Sequence, residues 1–138
     1  MANFTTEAAV RLRFHWHDAT LVPAALVQSA IDDAHTELLR FLEPAYADGP
    51  ADDGLEMGET ILAGANVARA LAALEAATQK RVTIGGQRVE ESARFTSLMT
   101  LAGVAETQAW FFLEPYVRDT PARCEANTTD TLPVLGEG

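Results

Sequence analysis

The most direct candidates for proton transfer, nucleophilic attack or metal ligation in this chain are three histidines, one cysteine and a run of paired acids. His15 and His17 flank Trp16 in the segment His15-Trp16-His17. Histidines two residues apart face the same side only in a strand, and no Cys, Asp or Glu stands at the spacing that would complete a tetrahedral site. The segment reads instead as an aromatic patch that anchors the N-terminal region. His35 follows Asp32 and Asp33. On a helix Asp32 comes within reach of it as a weak surface pair. The two neighbouring carboxylates point about 100° apart, and no nucleophile joins them for acid and base work. Cys124 lies in a polar C-terminal segment with nothing beside it to lower a thiol pKa. Gly85-Gly86 belongs to neither GxxxxGK[ST] nor GxGxxG, so it is no phosphate loop. The expectation is a protein that is not an enzyme and holds no metal or cofactor.

The elements that position these residues read mainly as α-helix. With 138 residues and 48% apolar composition, the chain suits one domain with a real core. Residues 5–17 fit a short N-terminal helix capped by Thr5 or Thr6. A second helix is announced by Asp18 and Pro23, and its buried line is Val27, Ala30, Ile31, Ala34, Leu38 and Leu42. It stops at Leu42-Glu43-Pro44, because proline removes a donor and disfavours helical geometry in the residue before it. An acid-rich loop, Ala45 to Gly54, then leads into an alanine-rich helix from about Leu55 to Thr78, with Met57, Ile61, Leu62, Ala65, Ala68, Leu71 and Leu74 as its apolar line. Its small side chains allow close approach on more than one side. A third long helix spans about Ser92 or Arg94 to Leu113, with Leu98, Leu101, Ala102, Ala105, Ala109 and Phe112 in one stripe. It ends at Phe112-Leu113-Glu114-Pro115-Tyr116, an echo of Phe41-Leu42-Glu43-Pro44 that reads as a repeated stop device. Residues 1–118 form the expected domain, and 119–138 an acidic, flexible tail.

Between the last two long helices the sequence predicts a β-hairpin over about 81–90. Gly85-Gly86 suits a primed two-residue turn, since glycine accepts positive φ. Val82 then faces Val89, Ile84 faces Gln87, Thr83 faces Arg88 and Arg81 faces Glu90. One face of that ribbon is apolar and the other polar. An isolated two-stranded ribbon is marginal in water, so its edges call for a partner. Arg81, Val82, Thr83, Ile84, Gly85, Gly86, Gln87, Arg88 and Val89 are accordingly the candidate interface residues.

Charge sharpens that reading. Twenty acidic and ten basic residues give −10 overall, which disfavours non-specific nucleic-acid binding through the outer surface. Residues 80–94 hold four of the basic side chains, Lys80, Arg81, Arg88 and Arg94, against Glu90 and Glu91. This basic island on an acidic chain suits docking against an acidic surface, a second copy included. The start MANFTTEAAVRLRF reads as neither a signal peptide nor a membrane span, and one cysteine makes no internal disulfide. A soluble, reduced, intracellular protein is expected.

Three segments bear a resemblance to a family: VPAALVQSAIDDAHTELLRFLEP, a helix with paired acids running into a loop; the alanine-rich LAGANVARALAALEAA; and the glycine-centred KRVTIGGQRVEESARF before the last helix. In this layout, over residues 5–117, the chain resembles the head-to-tail connector proteins of tailed bacteriophages and prophages, also called adaptor or head-completion proteins. The acidic tail departs from the short basic end of many members. The resemblance implies a structural virion protein at the head-tail junction, assembled from the bacterial cytoplasm. It implies a homo-oligomeric ring of about twelve copies beneath the portal protein, receiving a tail or stopper protein, with DNA only passing through the channel and no membrane involved. The competing reading from the residues is a small cytoplasmic interaction or regulatory module that grips one partner.

Overall fold

The computed structural model describes residues 3–47, 52–79 and 85–118. Helix α1 covers Glu7–Phe14, α2 Ala24–Phe41, α3 Pro44–Ala47, α4 Asp53–Gln79 and α5 Gly85–Leu113, followed by a 3₁₀ turn at Glu114–Tyr116. Helix α1 starts where an N-cap is present: the Thr6 hydroxyl accepts from the Ala9 N–H at 3.2 Å. It ends at His15, whose φ of 60° places it in the left-handed region used to close helices. Helix α2 has Pro23 at its N-cap position with no side-chain cap, while Asp18 closes the preceding turn by accepting from the Thr20 N–H. Arg11 then joins α1 to that turn. Its guanidinium donates to the Trp16 and Val22 carbonyls at 2.9 and 2.7 Å and pairs with Glu7 at 2.8 Å.

Helix α4 is the centre of the bundle, touching α5 along its length and α2 and α1 on its other flank. Segment Asp53–Ala77 matches a membrane span in length and mean hydropathy, 1.2, but half of the tested stretch is buried among the other helices, as in the core helix of a bundle. Small residues make that central place possible. Ala63, Ala65, Ala68 and Ala72 are all fully buried. At Gly58 an added methyl would fall inside the Leu113 side chain of α5, and at Gly64 inside the Phe14 ring of α1. The core is completed by Val10, Val27, Ile31, Leu38, Leu55, Ile61, Leu62 and Val67. Every position of the predicted α2 line, from Val27 to Leu42, is buried.

The two Phe-Leu-Glu-Pro stops meet in space. Leu42 and Val117 form an antiparallel bridge, the Glu43 N–H donates to the Tyr116 carbonyl at 3.0 Å, and the Arg118 N–H donates to the Phe41 carbonyl at 2.8 Å. Tyr46 and Tyr116 pack edge to face at 5.1 Å, as do Phe41 and Trp110 at 5.6 Å. A stop device repeated in sequence thus becomes a clasp that holds the ends of α2 and α5 together, with carbonyls freed at one helix end taking donors from the other.

The predicted hairpin is corrected by this architecture. Among the described residues there is no strand, and Gly85, Gly86, Gln87, Arg88 and Val89 lie in the first turns of α5, which starts at Gly85 rather than at Ser92 or Arg94. Arg81, Val82, Thr83 and Ile84 lie outside the described residues, as do the side chains of Gly85–Val89 and the tail 119–138. The physical reason is backbone satisfaction. A two-stranded ribbon leaves half its peptide groups without partners, whereas a helix satisfies them within the segment and extends the packing of α5 against α4. Glu90 and Arg94 also stand four apart in the order that supports a helix. Smaller corrections are that α4 starts at Asp53, two residues early, and that part of the predicted loop, Pro44–Ala47, is a single helical turn.

The small-residue packing of α4 makes a paired prediction. Gly58→Ala is expected to lower stability by about 2 kcal/mol, because Leu113 is fully buried and has no room to yield. Gly103→Ala, whose methyl would enter open space, is expected to raise stability by up to about 1 kcal/mol through helix propensity. Urea unfolding of both variants checks this, and equal effects would contradict the packing described.

Candidate functional site

Two features go beyond scaffolding: a buried ionisable cluster beneath the N-terminal segment and an uncharged outer face on α5. Glu59 of α4 is completely buried. Its Oε2 accepts from the backbone N–H groups of Phe4 and Thr5 at 3.0 and 3.3 Å, and its Oε1 lies 2.8 Å from Nδ1 of the buried His35 on α2. The neighbouring Thr60 hydroxyl donates to the Glu56 carbonyl at 2.7 Å. The hydrogen shared with Thr5 at 2.6 Å is therefore donated by Thr5. Phe4 lies edge to face on the imidazole at 5.1 Å, and His35 Nε2 is buried without a hydrogen-bond partner.

Burial pushes the Glu59 carboxyl above its ordinary range, and the hydrogen bond and charge of His35, with the Thr5 and Phe4 amides, oppose that shift only in part. A carboxylate behind an imidazole is the orienting half of a nucleophilic triad. Here both neighbouring hydroxyls are already engaged, one with a helix carbonyl and one with its partner threonine. The arrangement is a lock that fixes residues 3–5 across α2 and α4. Sequence reading had paired His35 with Asp32, but Asp32 is exposed and accepts from Asn3 and Gln28 side chains, both at 3.0 Å. Glu59 is not among the candidate residues that the sequence offers. The signal that was available is its place on the apolar side of α4, directly before Thr60 and Ile61.

His15 and His17 are exposed, with ring centroids 6.3 Å apart, and Trp16 between them stacks on Phe14 at 4.7 Å. Among the described residues no group of three or more His, Cys, Asp or Glu side chains is placed to hold a metal ion. Cys124 lies outside the described residues.

The second feature is on α5. From Ala93 to Leu113 this helix has only two charged residues, Arg94 and Glu106, and both are bound to α4: Arg94 to Glu75 at 2.7 Å and Glu106 to Arg69. The face turned away from α4 therefore presents no unpaired charge. It displays Val104, 62% exposed, and Phe111, 72% exposed, with Leu101 at its edge, among the uncharged Ser97, Thr100, Thr107 and Gln108. Helix α5 has α4 along one flank, and this opposite face is open to solvent.

The buried cluster yields two expectations. Glu59→Ala, which strands two amides and an imidazole, is expected to lose about 3 kcal/mol and to unprotect the Phe4 and Thr5 amides in hydrogen exchange. For the acid itself the folded-state pKa is raised. Its contribution is thus fully present below the ordinary carboxyl range and is lost as pH rises through the raised value. Thermal unfolding of wild type against Glu59→Gln across that interval should show the wild-type advantage shrinking as pH rises; a constant difference would contradict the shift. No family model, no curated protein and no solved structure matches this chain.

Proposed function

We propose that this protein is a structural assembly component that works by docking, of the head-to-tail connector type that its layout resembles, and that it is not an enzyme. The single observation behind this reading is the uncharged, apolar outer face of α5, exposed in a chain whose net charge is −10. Large apolar side chains exposed two turns apart on one helix face, as Val104 and Phe111 are, mark interaction sites in soluble proteins. Charge supports the same reading. Acids gather in the Glu43–Glu59 region, which includes five on the connection and its first turn besides the buried Glu59, while the α5 face bears none that is unpaired.

In this reading the chain sits below a portal protein as one subunit of a ring, meets a tail or stopper protein on the far side, and lines a passage for DNA. An acidic lining would let the duplex slide, since like charge prevents adhesion. The location is then the head-tail junction of the particle, reached from the bacterial cytoplasm. The basic residues Lys80, Arg81 and Arg88, which precede Arg94 in the sequence, would supply a complement for acidic surfaces.

Native mass measurement of the protein mixed with the portal ring of the same particle tests this. Added mass in whole multiples of 14.8 kDa is expected. The double variant Val104→Glu with Phe111→Glu should weaken binding by roughly 100-fold, the equivalent of losing two buried apolar side chains. Failure of the wild-type protein to add any mass would remove the reading.

A further inference from the structure

We infer that the exposed pair His15 and His17 is a surface site for a first-row divalent cation of the kind imidazole prefers, Zn(II), Ni(II) or Cu(II), with the two rings as its protein ligands and water in the remaining positions. The site lies at the end of α1 and is independent of the α5 face.

The observation behind it is a backbone one. Among the described residues His15 is the only non-glycine residue with positive φ, at 60°. That conformation costs a residue with a side chain about 1 kcal/mol, and glycine or asparagine closes a helix in this way more readily. A histidine at this position has a consequence for its ring. Residues two apart stand on opposite sides of a helix and share a side in a strand. Here the left-handed turn at His15, with ψ 35°, does what a strand would do, and the His15 and His17 rings meet edge to face with centroids 6.3 Å apart. Metal–nitrogen bonds of about 2.0–2.1 Å hold the centroids of two imidazoles on one ion roughly 4.5–6.5 Å apart, the larger values going with a wide nitrogen–metal–nitrogen angle. The observed separation lies inside that range, and both side chains are exposed and free to rotate closer.

The fold holds the backbone between the two ligands. The Trp16 N–H donates to the Arg11 carbonyl at 3.0 Å, and the Trp16 carbonyl accepts from the Arg11 guanidinium at 2.9 Å. The indole stacks on Phe14 at 4.7 Å, and Phe14 fills the space that Gly64 leaves on α4. Closing the two rings on an ion therefore orders side chains only, which lowers the entropy cost of binding. Charge does not oppose it. Arg13 and Asp18 are the charged neighbours in this segment and cancel, while the chain as a whole carries −10 and draws cations towards its surface. Asp18 is not a third ligand, since its Oδ1 accepts from the Thr20 N–H at 2.9 Å.

The test adds Zn(II) and Ni(II) to the full chain carrying Cys124→Ser, which removes the thiol as a competing ligand. His15→Asn keeps a residue that tolerates the left-handed turn while removing the imidazole, and His17→Asn is its counterpart. Calorimetry should show saturable binding of a single ion per chain. In NMR spectra the imidazole signals of His15 and His17 should move together while those of His35 stay. Either substitution should lower affinity at least about 10-fold, no less than the loss of a supporting contact around a metal costs. Because the ion binds the folded pair, it should also raise the urea midpoint of the parent chain and leave both variants unmoved. Absence of saturable binding at about 1 mM ion, the weak limit of specific affinity, overturns the inference. So does equal affinity in either variant, which would put the ion on the acids. Binding that leaves the parent midpoint unchanged overturns it too, because the fold would then contribute nothing to the site.

Discussion

One buried carboxylate ties together three parts of the chain that have no covalent reason to meet. Glu59 receives two backbone amides from the N-terminal segment and faces an imidazole from α2, all from the middle of α4. An ionisable group at zero exposure is tolerated only when its polar atoms are taken up, and here two amide donors hold one oxygen while the His35 imidazole partners the other. The consequence is positional. With residues 3–5 fixed, α1 is launched from its Thr6 cap at a set point, and Phe14 at its far end meets α4 where Gly64 leaves room for the ring. The orientation of α1, and so the outward aim of Leu12, follows from a polar contact at the other end of the same segment.

The opposite end of the bundle is fixed by different physics. The clasp between the two Phe-Leu-Glu-Pro stops relies on main-chain groups that the ends of α2 and α5 leave open, exchanged between the two stops through Glu43, Tyr116, Arg118 and Phe41. Aromatic pairs at Tyr46 and Tyr116 and at Phe41 and Trp110 shield those bonds from water. Proline serves two purposes in this motif. It ends each helix; the Phe41 carbonyl left open at the end of α2 takes the Arg118 N–H, and the Tyr116 carbonyl beyond Pro115 takes the Glu43 N–H.

Much of this was legible in the residues. The α2 line from Val27 to Leu42, a cap at Thr5 or Thr6, the central place of the alanine-rich helix and the repeated stop all follow from three-and-four spacing, capping chemistry and proline. What was not legible shares one cause. A hairpin over 81–90 and a His35–Asp32 pair are both local readings, made from neighbours in sequence. The backbone at Gly85–Val89 is instead helical because α4 offers about 40 Å of antiparallel surface to extend along, at roughly 1.5 Å per residue, and His35 turns inward because Glu59, 24 residues away, is buried where it can reach. The strong β-propensity of Val82, Ile84 and Val89 says nothing about that tertiary partner.

The same contrast between local and distant partners explains the surface. Between α4 and α5, two charge pairs cross the contact: Arg69 with Glu106 and Glu75 with Arg94. Such partly exposed bridges add little stability, about 1 kcal/mol or less each. Their effect is to set register and to withdraw charge from the outer face of α5. If solubility alone governed this surface, an exposed helix in an acidic protein would bear acids there. Val104, Phe111 and Leu101 stand there instead, so the exposed side of α5 is uncharged while the acids lie on the 43–59 region and on α2.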